Sequence, residues 1–292
     1  MARDFLTGEE LSATELAALL DRADRLKSGR PSEGATALVG HSVALLFERP
    51  STRTRVSLEV GVAELGGVPI VLRGDELQLS RGESIADTGR VLSRYVSAIA
   101  IRSGSDDAVA ALAAASDAPV INALTPLHHP CQALADLLTL RERFGALEGL
   151  RVAYVGDGNN VARSLALLGA TADVSVVVSS PEGYELEGAP WAELVADPRE
   201  AVAGADALYT DVWVSMGDEA EAERRRAALR PYRIDSELLA AAADGAIVLH
   251  CLPAHPGDEI AAEVLYGPSS AVLDQAENRL HAQKALLELL VG

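Results

Sequence analysis

Lysine is almost absent from this 292-residue chain: of 25 basic residues, all but Lys27 and Lys284 are arginine. Base of either kind is scarce against 43 acids, which leaves a formal charge of -18. That balance argues against nucleic acid or an anionic membrane surface as a partner. An acidic, lysine-poor surface fits a salt-loaded cytoplasm, where screening weakens self-repulsion; a high-GC genome would account for the arginine and alanine bias but not for the excess of acid. No run of about 18 uninterrupted apolar residues occurs, which excludes a transmembrane helix. The opening Met1–Leu6 has no apolar core and does not read as a secretory or transit peptide. The two cysteines, Cys131 and Cys251, sit inside polar motifs rather than a spaced framework, so a reduced, cytoplasmic protein is expected.

What the chain does have is chemistry at strand ends. Val43–Phe47 reads as a buried strand and breaks at Glu48-Arg49-Pro50. A helical pattern follows, with Leu58, Val62 and Leu65 at i, i+4 and i+7. Between them stands Ser51-Thr52-Arg53-Thr54-Arg55, three hydroxyls and two guanidinium groups at a helix N-terminus. Free N–H groups, the positive dipole end and planar Arg donors together suit a phosphate. A Ser cap followed by solvated arginines is the alternative reading.

Similar junctions recur. Ala98–Ile101 ends in Arg102, and Pro119–Asn122 leads to His128-His129-Pro130-Cys131-Gln132, where Pro130 suits the first turn of a helix stopped by Gly145. Val152–Val155 runs into Gly156-Asp157-Gly158-Asn159-Asn160. Ala207–Tyr209 runs into Asp211-Val212-Trp213-Val214-Ser215-Met216-Gly217, and Ala246–Leu249 into His250-Cys251-Leu252-Pro253. In open α/β sheets ligands bind beyond the carboxyl ends of the strands. Gly156-Asp157-Gly158 lacks a third glycine, so it does not make a dinucleotide loop. For Cys251 a buried small hydrophobe, a covalent nucleophile and a metal thiolate with His250 and His255 all come into question. The metal spacing is incomplete and no base for the thiol is evident.

Ser-Thr-Arg-Thr, His-Pro-Cys-Gln, Asp-Val-Trp-x-Ser-Met-Gly and His-Cys-Leu-Pro, in this order, resemble the aspartate/ornithine carbamoyltransferase superfamily, and the last two motifs point to its ornithine branch. The likeness runs from about Phe47 to Glu277-Asn278-Arg279-Leu280-His281. Two departures are Pro256, where relatives carry Arg, and Ser80, where Gly is usual.

The resemblance implies transfer of a carbamoyl group from carbamoyl phosphate to L-ornithine, in arginine biosynthesis or catabolism, with no metal or organic cofactor. It assigns carbamoyl phosphate to Ser51, Thr52, Arg53, Thr54, Arg102, His129, Pro130, Cys131, Gln132, Cys251, Leu252 and Arg279. Gln78 would reach a neighbouring subunit's site, which implies a homotrimer or a multiple of one. Asn160, Asp211, Ser215 and Met216 would hold ornithine, with Cys251 beside the attacking amine. Arg102, His129 and Cys251 carry the catalytic roles, and Leu252-Pro253 is expected to be cis. His128 and His250 are expected to be structural or solvent-facing. Other acceptors (aspartate, putrescine, an acylated ornithine) and a non-catalytic carbamoyl phosphate-binding homologue remain alternatives.

The expected fold is α/β: two domains, each a parallel β-sheet flanked by helices, from strands alternating with helices. The boundaries fall at about 1–145 and 146–275, with a C-terminal helix, 276–292, returning to the first domain by family likeness. The charged block Asp218–Arg230 reads as a solvated helix with i, i+4 pairs.

Overall fold

A computed structural model of the chain describes residues 3–77, 82–214 and 219–292. It divides into two compact units: 1–138 together with 277–292, and 139–276. Both divisions fall inside helices, one within Pro130–Phe144 and one within Val272–Val291.

The first unit holds a parallel sheet of β1 (Ser42–Phe47), β2 (Val68–Arg73), β3 (Ala98–Arg102) and β4 (Val120–Leu124), in the order β2-β1-β3-β4. Its helices are α1 (Ala13–Ser28), α2 (Thr52–Glu64), α3 (Ile85–Leu92), α4 (Asp106–Ala115) and the start of α5 (Pro130–Phe144). The apolar stripe of α2 is real: Leu58, Val62 and Leu65 are buried. Ser84 caps α3 by accepting from Asp87 N. Gly145, at φ +85, receives the stop of α5, its N–H donating to the Arg141 carbonyl at 2.8 Å.

The second unit holds β5 (Arg151–Val155), α6 (Asn160–Thr171), β6 (Ser175–Ser179), β7 (Ala192–Val195), α7 (Pro198–Val202), β8 (Ala207–Thr210), α8 (Ala222–Leu229), α9 (Ser236–Leu239), β9 (Ile247–His250) and α10 (Ala262–Leu265). Its strands are parallel in the order β7-β6-β5-β8-β9. Each sheet reverses its winding once, between β1 and β3 in the first and between β5 and β8 in the second. In open α/β sheets such a reversal is where ligands bind, beyond the carboxyl ends of the strands.

The helix α11 (Val272–Val291) brings its later turns into the first unit. Polar side chains fasten it there. Lys284, fully buried, meets Glu64 of α2 at 2.9 Å. Arg22 of α1 grips Glu288 with two nitrogens, and Lys27 donates to Asn278 at 2.8 Å. Both lysines of the chain are thus committed to α11 and its neighbours. Buried ion pairs of this kind specify a geometry more than they stabilise it.

Candidate active site

In the first unit the β1 and β3 ends are tied together. Phe47 registers with Arg102, and Glu48 N donates to the Arg102 carbonyl at 3.1 Å. The Glu48 carboxylate accepts from Ser103 Oγ at 2.6 Å and Gly104 N at 2.9 Å, bridging the two loops. Ser51 stands at the N-cap of α2 but makes no side-chain cap bond, so its hydroxyl leaves the first-turn N–H groups to another acceptor. Thr52 and Arg53 are exposed, whereas Thr54 is buried and accepts a hydrogen bond from Arg279 of α11.

His129 precedes α5, its carbonyl accepting from Gln132 N and Ala133 N, while Pro130 takes the first helical position, as the sequence pattern predicts. Its imidazole is buried, and burial is the main reason its pKa lies well below the ordinary histidine value; Arg279, Arg102 and Arg53 push it further down. A neutral ring among three guanidinium groups can donate to an oxyanion without needing a proton first. Four groups assigned to one ligand by the sequence are therefore electrostatically coupled. Gln132 Nε2 donates to Asp136 Oδ1 at 2.8 Å, and its buried Oε1 has no partner among the described residues, an acceptor left for a ligand N–H. Cys131 is fully buried, its thiol directed to the Asn122 carbonyl at 3.5 Å and its pKa pushed up to about 12 by burial. What Cys131 offers a ligand is its backbone N–H in the first turn of α5.

The second unit has its own cluster at the β5–β8 reversal. Asn159 caps α6, its Oδ1 accepting from Val161 N, Ala162 N and the Tyr154 hydroxyl, the last at 3.0 Å. Its Nδ2 donates to Asp211 Oδ2 at 3.1 Å. Asn160, the first residue of α6, is partly exposed. Asp211 is buried, and burial above all raises its pKa. A desolvated carboxylate held by the Asn159 amide and the Val212 N–H gains further by taking an ammonium partner.

The two glycines of the β5 loop have packing roles. A Cβ on Gly156, at φ +136, would meet Thr210 Oγ1 at 3.2 Å, and one on Gly158 would lie 2.3 Å from Leu186 N.

The Cys251–Pro253 turn follows β9, with Leu252-Pro253 cis as expected and Leu252 in the left-handed region at φ +60. His250, expected to be structural or solvent-facing, is structural. It is buried, its Nδ1 accepts from Leu252 N at 2.8 Å, and its Nε2 faces Glu259 at 3.2 Å. An N–H must point at Nδ1, so the proton sits on Nε2 and is given to Glu259. Both ring nitrogens are engaged, and His250 holds the turn that presents Cys251 rather than serving its thiol as a base. Cys251 itself is buried at 9% exposure.

Gln78, Ser215 and Met216 lie outside the described residues. The charged block forms the expected helix, α8, exposed at Glu223, Arg224, Arg226 and Ala227, but Arg225 and Arg226 pair with Asp157 and Asp258, both outside α8, and the Arg225 side chain is only 12% exposed. Asn159, Tyr154 and Glu259 were not singled out from the sequence. An Asn just before a helix signals a cap, but its second bond to Asp211 depends on β5 lying beside β8.

Models of the aspartate/ornithine carbamoyltransferase family match nearly the whole chain. The carbamoyl-P binding domain matches residues 3–142 and the Asp/Orn binding domain residues 148–290. An ornithine carbamoyltransferase of Acidothermus cellulolyticus is 55% identical over 305 residues, covering 100% of this chain and 97% of that one. Among solved structures, the ornithine carbamoyltransferase from Pyrococcus furiosus aligns with TM-score 0.94 at 47% identity, covering 100% of this chain and 97% of that one. That from Thermus thermophilus aligns with TM-score 0.93 at 43% identity over the full length of both. With its two parallel sheets, its motifs in order and its full-length relatives, the chain belongs to the aspartate/ornithine carbamoyltransferase family.

Proposed function

We propose that the protein transfers the carbamoyl group of carbamoyl phosphate to the δ-amine of L-ornithine, giving L-citrulline and phosphate. The observation that carries this reading is the buried Arg279, which donates to Thr54 in the first turn of α2 while its Nε, like Gln132 Oε1, has no partner among the described residues; its charge, with those of Arg102 and Arg53, acts on the buried His129. Such a field suits a phosphate dianion, and the orphan Gln132 Oε1 suits the carbamoyl NH2. The α2 N-terminus, with Ser51, Thr52, Arg53 and Thr54, takes the phosphate oxygens, while Pro130 and Cys131 contribute the start of α5. Arg102 and His129 polarise the carbonyl and hold the tetrahedral oxyanion.

Ornithine's α-carboxylate takes the Asn160 amide, and Asp211 accepts from an ammonium. Met216 and Ser215 line the acceptor, and Cys251, with the Cys251–Leu252 backbone, orients the δ-amine. That amine titrates near lysine's range, about 10, so it must arrive or become neutral. Its lone pair attacks the carbamoyl carbon, a C–N bond forms, the C–O bond to phosphate breaks, and phosphate takes the amine proton. No general base beyond the leaving group is required.

Gln78 entering a neighbour's site would make the working form a homotrimer or a multiple of one. The surface charge is in keeping with a cytoplasm of high salt, and the reaction with a place in arginine metabolism. A colorimetric citrulline assay over a panel of ornithine, aspartate, putrescine and N-acetylornithine tests the assignment. Ornithine alone should be carbamoylated at an appreciable rate. No product with any of the four would leave a binding homologue, and preference for another acceptor would replace ornithine.

A further inference from the structure

Arg225 meets the second unit's loops on three sides. Its Nε donates to the Trp213 carbonyl and its Nη2 to Asp157 Oδ2, each at 2.5 Å. Its guanidinium lies over the Tyr184 ring, 5.0 Å from the centroid. Arg225 and Asp157 side chains are 12% and 15% exposed, so the pair is largely out of water. A planar fork is the one side chain that can donate along two edges while stacking on an aromatic face.

The partners' places in the chain give the contacts their meaning. Asp157 belongs to the loop after β5 and stands two positions before Asn159. Trp213 belongs to the loop after β8 and stands two positions after Asp211. Asn159 and Asp211 meet each other at 3.1 Å. Arg225 therefore closes a ring, Asp157–Arg225–Trp213–Asp211–Asn159, across the point where the sheet reverses its winding.

In the ring Asp211 accepts from the Asn159 side chain, and its other hydrogen bond comes from the backbone N–H of Val212, while burial disfavours its charge. Its position depends on backbone held from elsewhere. Resting on the functional reading above, we propose that Arg225, through Asp157 and the Trp213 carbonyl, is a positioning residue for the amino-acid acceptor. It holds Asp211 against Asn159 at the spacing ornithine's ammonium requires. The first-unit groups assigned to carbamoyl phosphate lie outside the ring, so the effect falls chiefly on the amino-acid acceptor.

Steady-state citrulline formation, with each substrate varied in turn, tests this in wild type, Arg225→Gln, Arg225→Lys and Asp157→Asn. Arg225→Gln should raise the ornithine KM by about tenfold, the scale of one charge-assisted hydrogen bond. The carbamoyl phosphate KM should stay within about twofold, since its first-unit contacts do not share a network with the ring. Arg225→Lys should recover part of the loss, because an ammonium satisfies Asp157 or the Trp213 carbonyl but not both. Adding Asp157→Asn to Arg225→Gln should cost little more, as partners in one network are not additive. A folded Arg225→Gln with wild-type ornithine KM, or with both KM values rising together, overturns the proposal. Should Arg225→Gln not fold, Arg225→Lys with an unchanged ornithine KM overturns it equally. Wild type that makes no citrulline overturns the functional reading instead, a distinct result.

Discussion

The guanidinium of Arg279 donates to the hydroxyl of Thr54, 225 positions earlier in the chain. Both groups are buried, and Arg279 Nε has no partner among the described residues. Thr54 thus fixes one edge of the fork and leaves another for a ligand. Three like charges held about one imidazole are poorly placed in the empty protein and well placed around an anion.

That arrangement predicts stabilisation by the product. Phosphate at about a hundredfold its dissociation constant should add about 2.7 kcal/mol, seen as a rise in Tm. Arg279→Met and Arg53→Ala should lose most of the rise. Arg53 is exposed, so Arg53→Ala should melt near wild type in plain buffer. Calorimetry showing unchanged carbamoyl phosphate affinity in folded Arg53→Ala would contradict the phosphate role.

Cys251→Ala should impair ornithine use more than carbamoyl phosphate binding. Since His250 is committed to Leu252 N and Glu259, it does not serve the thiol as a base, and activity should fall without vanishing. Intact mass during turnover should show no carbamoyl adduct. An adduct on Cys251 would replace direct attack by a covalent route.

Acid should destabilise the first unit through its neutral imidazoles. His129 and His281 are buried, and burial is the largest cause of their lowered pKa values. For His281, Glu277 at 3.7 Å pulls upward, but burial with Lys27, Lys284 and Arg30 outweighs it. Below the ordinary value of 6.5 the unfolded chain takes up protons that the folded chain refuses. Stability present above that pH is lost as pH falls through it. Tm by circular dichroism should drop between about pH 7 and 5, and His281→Gln should flatten part of the slope. A level Tm across that range would contradict this.

Salt should stabilise the protein. With 43 acids against 25 bases, self-repulsion should fade as the Debye length shrinks to about 3 Å near molar salt. Melting temperature should rise with KCl, and any oligomer should loosen as salt is removed. The partly desolvated arginines should lose carbamoyl phosphate affinity only modestly. A melting curve flat from dilute buffer to molar KCl would leave genomic composition as the source of the acidic surface.

Legibility followed the range of the contacts. Ser51–Thr54 and His129–Gln132 could be read from sequence because strand, turn and helix start lie within a few residues of one another. The apolar stripe of α2 and the stop at Gly145 are local for the same reason. Asn159, Glu259 and Arg225 were not legible, since their partners are set by strand order and by loops distant in sequence. Arg225 shows the reason: a run of alternating charge predicts pairs along one helix, and burial beside Asp157 and Trp213 selected pairs across the fold instead.

The two-unit division also has a bearing on how the protein is made. Unit 139–276 is one continuous piece, whereas the first unit is interrupted by it and completed by residues 277–292. A ribosome adds roughly 5–20 residues each second, and domains fold as units once their chain is available. The first unit therefore cannot close while the second is still being made, because its last stretch, with Arg279 and Lys284, is added only afterwards. During that interval Thr54 lacks its guanidinium and Glu64 its ammonium. The unit begun first is thus the one completed last.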